Sequence, residues 1–406
     1  MGDHIYLDHL STTPCDPAVA ERMWPYMTTY YANPSSVVHA CGKKVSRDLE
    51  QARQTIAGML NAGAEEIVFT SGATESINMA IRGVAQTCSD KGRHIITCAT
   101  EHSAVLETCK GLEKRGFELT VLPVDANGIL DLEWLKGAIR KDTILVAIMH
   151  ANNETGVLHD VSGIGQVCTE RDVIFFCDTT QTAGKYGLDV QQHQIDICCF
   201  SAHKFYGPKG IGGLYIRKKG KRINLPAMFT GGGQESGMRS GTLNVPGIMG
   251  MAKAFELCNA MPSAVERLAT FGRRFEEALL KMSGVVINGN DTVRMPGISS
   301  VSFRFLEGQA LLVKLNEKLC VSSGSSCSSM DGKPSPVLKA MGLGDQQAMS
   351  TIRFSFGRFT TENEVEMALA HVSDSLSILR NESQTWKMFA AGQLEPGTAW
   401  YHPNVR

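Results

Sequence analysis

The sequence predicts an α/β fold: a domain built on a largely parallel sheet, with a smaller α+β domain after it. Three observations predict it. Between residues 66 and 216, short apolar runs rich in β-branched residues alternate with stretches whose apolar residues fall at helical spacing. The polar residues His102, Asn153, Asp178 and Lys204 fall just after such runs or at their ends, where ligands sit in open parallel sheets. From Gly284 onward the pattern changes to strand, strand, helix, strand.

The elements follow in order. Ile5-Tyr6-Leu7 reads as a short strand, and Asp8-His9-Leu10-Ser11-Thr12-Thr13-Pro14 as a polar turn. A helix is predicted from Asp16-Pro17 to about residue 30, with Asp16 as N-cap and Pro17 at the first helical position. Asn33-Pro34-Ser35-Ser36 breaks the pattern, and Val45, Leu49, Ala52, Ile56 and Met59 mark a helix over 43–60. Strands are predicted at 66–70, 94–98, 118–122, 143–149, 172–178, 195–200 and 210–216, with helices over 75–82, 104–115, 131–140 and 164–170. Long helices over 245–260 and 264–282 mark the change of domain. Strands at 285–287, 298–305 and 352–356, with a helix over 307–316, make up the second domain.

Composition narrows the class. The 406 residues suffice for one large domain and a smaller one, and 43% hydrophobic with 20% charged residues is ordinary for a globular chain. A net charge of −1 supplies no field to hold nucleic acid or an acidic membrane surface. No apolar run approaches a membrane span. Met1-Gly2-Asp3-His4 goes straight into the first strand, without a signal peptide or an Arg-rich transit segment. That points to the cytoplasm, or to the mitochondrial matrix if a transit peptide has been removed. The 12 cysteines are scattered, with no C-x-x-C spacing, which reads as free thiols in a reducing compartment. Cys198 and Cys199 are neighbours in a strand and should face opposite sides of the sheet.

The chemistry gathers at the strand ends. One run ends in Asp178, and the next leads to Ser201-Ala202-His203-Lys204. A lysine beside a strand end is ordinarily a solvated lysine. Two neighbouring buried strands, however, can bring a carboxylate and an amine to one sheet edge. That pair is what pyridoxal phosphate needs: an amine for a Schiff base and a carboxylate to keep the pyridine nitrogen protonated. Ser71-Gly72-Ala73-Thr74, between a strand and a helix, has the make-up of a phosphate turn: close backbone amides, hydroxyls and a helix N-terminus. The glycine-rich stretch from Phe229 to Thr242 is either a plain linker or an anion contact. Cys327 stands in a run of Ser and Gly with no apolar neighbour until Met330. Structural cysteines are usually buried, so this thiol reads as exposed, either a nucleophile or an inert loop thiol.

In these residues the chain resembles the pyridoxal-phosphate cysteine desulfurases of the NifS/IscS type, in the class-V aminotransferase superfamily, over nearly its whole length. The resemblance rests on ordered pieces. They are Tyr6-Leu7-Asp8 with Thr12-Thr13-Pro14, Asn33-Pro34-Ser35-Ser36 with His39, and Thr70-Ser71-Gly72-Ala73-Thr74-Glu75-Ser76. Further along stand Glu101-His102, Asn152-Asn153-Glu154-Thr155-Gly156, Asp178 with Gln181, Ser201-Ala202-His203-Lys204 and Arg239-Ser240-Gly241-Thr242. The last are the run 322–327 and Arg353 with Gly357-Arg358.

The resemblance implies a fold-type I homodimer with a seven-stranded, largely parallel sheet. The large cofactor-binding domain would span 16–262 and the small one 263–406, with 1–15 joining the small one. Lys204 would carry pyridoxal 5′-phosphate. Asp178 would pair with the pyridine nitrogen, and Gln181 and Asn153 would lie at the ring hydroxyl. His102 would stack on the ring and act as acid or base. Ala73, Thr74, Ser201 and His203 would hold the phosphate, with Thr242 from the other subunit. Arg353 would bind the carboxylate of L-cysteine, Asn153 assisting, a task suited to a planar guanidinium. Cys327 would accept the sulfur. No resident metal is implied, though Cys327 could transiently ligate an iron–sulfur cluster. The tail from Leu379 to Trp400 resembles the segment that docks an iron–sulfur scaffold protein; as a plain sequence it reads as a helix end and terminus.

Some positions depart from the family: Ser11 in place of Ala, Thr179-Thr180 before Gln181, and Ser299 in place of Asn. They bear on substrate-site detail rather than reaction class. A selenocysteine lyase would use the same residues, whereas an aminotransferase has no use for Cys327. A non-catalytic sulfur-pathway scaffold predicts loss of Lys204 or Cys327, and both are present.

Overall fold

Residues 4–220, 223–259, 262–289, 293–323 and 333–395 are described by the structure, a computed structural model. It opens with β1 (Ile5–Tyr6) and the helix Pro17–Thr28. Asp16 caps that helix by accepting from the Ala18 amide, and Pro17 stands in its first turn, as the sequence predicts. The next helix, Ala40–Met59, begins three residues before the expected 43 because the His39 ring nitrogen accepts from the Gly42 amide.

Seven strands form the main sheet: β2 (Ile67–Thr70), β3 (His94–Cys98), β4 (Glu118–Leu122), β5 (Thr143–Ala147), β6 (Ile174–Asp178), β7 (Ile197–Ser201) and β8 (Gly212–Ile216). Their order is β2-β8-β7-β6-β5-β3-β4. β8 is antiparallel to both of its neighbours, so β2 runs parallel to β7 and to the rest. All strands but β8 therefore deliver their carboxyl ends to one edge. Every residue of β3, β5, β6, β7 and β8 is buried, because helices cover both faces. Sequences for such strands read as unbroken apolar runs rather than alternating ones. The two faces feed separate hydrophobic clusters. Cys198 and Phe200 belong to one, Ile197 and Cys199 to the other, so the adjacent cysteines do face opposite sides. The described cysteines are all free thiols.

Two boundaries moved for visible reasons. The helix expected at 75–82 spans Ala73–Thr87; it continues through Gly83, whose missing side chain admits Leu225. The strand expected from 172 starts at Ile174, because Asp172 sits in a turn with φ of +51°.

The second part carries β9 (Val285–Ile287), β10 (Ile298–Phe303), β11 (Leu319–Cys320), β12 (Ser322–Ser323) and β13 (Thr351–Ser355). The order β12-β13-β10-β9 makes an antiparallel sheet, while β11 pairs in parallel with β1. A third cluster, with Phe275, Phe303, Phe354 and Leu376, lies under it. The turn after β1 bridges β13 at Asp8 and Ser355, which brings the amino-terminal segment and Arg353 together. No described helix is long and apolar enough to cross a membrane.

Two buried histidines beyond the carboxyl end of β5 set an acid limit. His150 and His159 are each 4% exposed, and burial pushes both down to about 4. Neither ring nitrogen of His159 has a hydrogen-bond partner. An unfolded histidine binds its proton near pH 6.5, so between 6.5 and 4 the unfolded chain takes up protons that these sites refuse. Their contribution is therefore intact above pH 6.5 and lost as pH falls toward 4. Each site costs roughly 1.4 kcal/mol per pH unit in that window. His159→Leu should leave stability at pH 7 unchanged or raised, since it removes unsatisfied polar atoms, and make the loss between pH 7 and 5 smaller by about 2 kcal/mol. Urea midpoints at the two pH values check this; an equal loss in both proteins would refute it.

Candidate active site

The turns leaving the common edge enclose a cleft of about 850 Å³. β2 runs into Ser71-Gly72, and the helix Ala73–Thr87 starts there without a side-chain cap. Gly72 has a φ of +154°, a conformation that glycine favours. Gly212 makes the close approach possible, since a Cβ on it would lie 2.7 Å from the Gly72 Cα. An uncapped helix N-terminus, lined by Gly72, Ala73, Thr74, Ser201 and His203, thus opens on the cleft and suits a phosphate. Burial, then Lys204, Lys209 and Lys185, push His203 down to about 4, so its ring is neutral and its Nδ1 pairs with Thr12 Oγ1 at 3.1 Å.

Asp178 closes β6. Its Oδ1 accepts from the Thr180 amide at 2.9 Å, the Thr180 hydroxyl at 2.5 Å and the Cys199 thiol at 3.4 Å. Among the described residues Oδ2 takes no hydrogen bond, so one carboxylate oxygen is left for a pyridinium N–H. Lys204 lies in the short turn Ala202–Lys204 after β7, and its Nζ donates to the carbonyls of Leu10 at 2.7 Å and Ser11 at 2.8 Å. His102 caps the helix Ser103–Glu113 by accepting from the Ala104 amide at Nδ1, which places its proton on Nε2. Burial and Lys204 lower its proton affinity against the pull of Asp178, so the ring is neutral. The uncapped turn, the open Asp178 oxygen and the amine in one cleft fit pyridoxal phosphate.

Arg353, on β13, is 1% exposed and borders the cleft. Its Nη2 donates to Asp8 Oδ1 and Ser11 Oγ, each at 2.6 Å, and its Nη1 to the Asn153 carbonyl at 2.6 Å. The guanidinium is thus already engaged by the protein. Asn153 and Gln181 also line the cleft. Thr242 does not: it is exposed and lies outside the cleft of its own chain. Its loop is held by Arg239, which pairs with Glu75 at 2.8 Å, and by Glu235, which pairs with Arg53 at 2.7 Å. Cys327 lies outside the described residues. Both flanks of its segment border the site. Ser322 pairs with Arg353 across β12 and β13, and Pro336 and Val337 line the cleft.

Sequence reasoning gave no role to Glu101, Glu154 or Lys185. Glu101 accepts from the Met149 amide at 2.7 Å, and its other oxygen is buried without a partner. Burial, with Asp178 adding, holds its proton well above the usual carboxylate range. Glu154 accepts from the Ser335 hydroxyl at 2.5 Å, and burial lifts it to about 7 against the pull of Ser335 and Arg353. Only their positions beside His102 and Asn153 hinted at either.

Ser11 offers a direct test of the Arg353 geometry. Its hydroxyl takes one Nη2 donor and passes its own proton to Asp8 Oδ1 at 2.9 Å. Ser11→Ala frees that donor for the carboxylate that the resemblance assigns to Arg353. On that expectation the KM for L-cysteine falls about threefold with kcat unchanged, the worth of a modest hydrogen bond. A raised KM would show instead that Ser11 positions the guanidinium.

Residues 5–367 match the model of the aminotransferase class-V family. The chain is 47% identical over 401 residues to proteins named cysteine desulfurase IscS from Shewanella sp. (strain ANA-3) and Vibrio campbellii, covering 98% of this chain and 99% of each relative. Among solved structures, a NifS-like protein is 36% identical with a TM-score of 0.87, covering 93% of this chain and 100% of that one. A structure described as SspA in complex with cysteine is 35% identical with a TM-score of 0.77, covering 88% and 100%. The chain belongs to the class-V aminotransferase family, in its NifS/IscS-like cysteine desulfurase branch.

Proposed function

We propose that the protein is a pyridoxal-phosphate-dependent cysteine desulfurase. In this reading it converts L-cysteine to L-alanine and leaves the sulfur as a persulfide on Cys327. The observation that carries the reading is one cleft that gathers Lys204, Asp178, His102 and an uncapped phosphate turn against the Arg353 strand. The cofactor, when bound, supplies an electron sink for the bonds at the substrate α-carbon.

The chain's own residues do the rest. Arg353 holds the substrate carboxylate, with Asn153 beside it. Lys204 holds the cofactor and then, as a free amine, moves the α-proton. Asp178 would keep the pyridine nitrogen protonated through its open oxygen, and Gln181 would donate to the ring hydroxyl. His102 would meet the ring as a neutral imidazole whose proton is on Nε2. Ala73, Thr74, Ser201 and His203 hold the phosphate, with the partner subunit of a homodimer adding its copy of Thr242. The Cys327 thiolate attacks the substrate sulfur. An S–S bond forms, the C–S bond breaks, and the β-carbon takes a proton on the way to alanine. The persulfide then passes to an acceptor, in our reading an iron–sulfur scaffold protein or another thiol, in the cytoplasm or mitochondrial matrix.

The test is product analysis. With cofactor, L-cysteine and a thiol reductant, alanine and sulfide should appear in equal amounts. No alanine from cofactor-loaded protein would overturn the reading, and turnover of selenocysteine alone would replace it with a lyase.

A further inference from the structure

A second lysine stands behind the first. Gln181 follows Asp178 in a tight turn, and Gly184 reverses the chain with a φ of +73°. A Cβ on Gly184 would lie 3.2 Å from the Phe205 ring, so the turn packs down and Lys185 comes back beneath the site. Lys185 Nζ donates to Gln181 Oε1 at 3.3 Å. Gln181 Nε2 donates to the Leu10 carbonyl at 3.1 Å, and the same carbonyl accepts from Lys204 Nζ at 2.7 Å. The two amines are joined through one amide and one carbonyl. On its other side Lys185 borders a small cavity of about 80 Å³ walled largely by Leu268, Met295, Ile298 and Phe356. An amine is an unfavourable group to bury there, and among the described residues no carboxylate is paired with it.

We infer that Lys185 is a positioning residue for the Lys204 chemistry: it fixes the orientation of the Gln181 amide and places a second amine charge behind the reactive one. This rests on Lys204 being the lysine that takes the cofactor. Two physical effects follow. In its charged form Lys185 only donates, so it holds the carbonyl oxygen of Gln181 toward itself and the NH₂ toward Leu10. The second hydrogen of that NH₂ is then left for the cleft, where a cofactor ring oxygen needs a donor. A charge behind Lys204 also makes it easier for Lys204 to give up its proton, as an amine does beside another cation. Burial, then Lys204, push Lys185 down to about 7, so the two amines resist being charged together. The other ionisable groups near the pair are Asp178, His102, His203, Lys209, His9 and Cys258, with Tyr206 and the Arg358 guanidinium lining the same cavity as Lys185. Asp178 is the carboxyl group among them, and it works in favour of a charged neighbour, as it does for His102.

The test uses the apo chain and capture of pyridoxal 5′-phosphate on Lys204, trapped with borohydride and mapped by peptide mass. Lys185→Met removes the charge and the donor, and Lys185→Arg keeps both. Capture by Lys185→Met at neutral pH should be about tenfold slower than wild type, as a second charge within a nanometre in a poorly solvated site would give. Its pH midpoint should move up, and Lys185→Arg should restore most of the loss. Lys185→Met should also melt no lower than wild type, because a buried amine has been replaced by an apolar chain of similar length. A residue that merely held the fold together would give the reverse: a lower melting point and an unmoved midpoint. Should Lys185→Met fail to fold, Lys185→Gln, neutral but still a donor, is read by its midpoint alone. An unchanged midpoint in the neutral variants overturns the inference. Wild-type capture at a lysine other than Lys204 overturns the reading it rests on, a different result from a different protein.

Discussion

Lys204→Ala is expected to retain no pyridoxal phosphate through gel filtration and to form alanine from L-cysteine roughly a thousandfold or more slowly. The argument is geometric. Lys204 Nζ is located by the Leu10 and Ser11 carbonyls, on a turn nearly two hundred residues away in sequence. Lys209 and Lys110 also line the cleft, but among the described residues Lys204 is the lysine held by the Leu10 and Ser11 carbonyls. Lys185 is turned toward Gln181. Alanine removes the amine and leaves the uncapped turn, Asp178 and His102 unchanged. Cofactor then binds without a covalent bond, so its absorbance should follow the small molecules off the column. The proton step loses its carrier as well, so saturating cofactor should not restore the rate. Wild-type turnover in Lys204→Ala would remove Lys204 from the mechanism.

The parts of this site that were legible in the sequence share a physical cause. A strand buried on both faces must be apolar along its length, so Asp178 and Lys204 stand out where β6 and the turn after β7 leave the sheet. Parallel order then puts those ends on one edge, and the cleft follows. The phosphate turn was legible for the same reason, since only glycine serves where Gly72 and Gly212 nearly touch. What was not legible depends on pairings that no local pattern records. Arg353 and Asp8 are 345 residues apart, and nothing near either says that they form an ion pair with Ser11 between them. The departure at Ser11 was visible, but its target was not. β11 and β12 are two residues each, too short for any periodicity, although they tie the amino terminus and the Cys327 segment to the second sheet. Lys185 was hidden because its importance comes from the reversal at Gly184.

Cys327→Ser separates sulfur transfer from everything that precedes it. The variant should hold cofactor as wild type does, with unchanged visible absorbance, yet form alanine from L-cysteine at below roughly a thousandth of the wild-type rate. The thiolate is the group that can attack a sulfur and keep it, and a serine hydroxyl neither ionises near neutral pH nor forms a persulfide. Position supports the assignment as far as the described residues go. The segment leaves β12 after Ser323, next to Arg353, and returns at Ser335, whose hydroxyl is held by Glu154 in the cleft wall. Cys327 is four residues beyond Ser323 in sequence, and a chain of that length reaches at most about 14 Å. The pairing of results is what decides: Lys204→Ala loses cofactor and turnover together, while Cys327→Ser loses turnover alone. If Cys327→Ser made alanine at the wild-type rate, the substrate sulfur would pass directly to another thiol, such as the added reductant, and the Cys327 persulfide step would have to be given up while the cofactor chemistry stood.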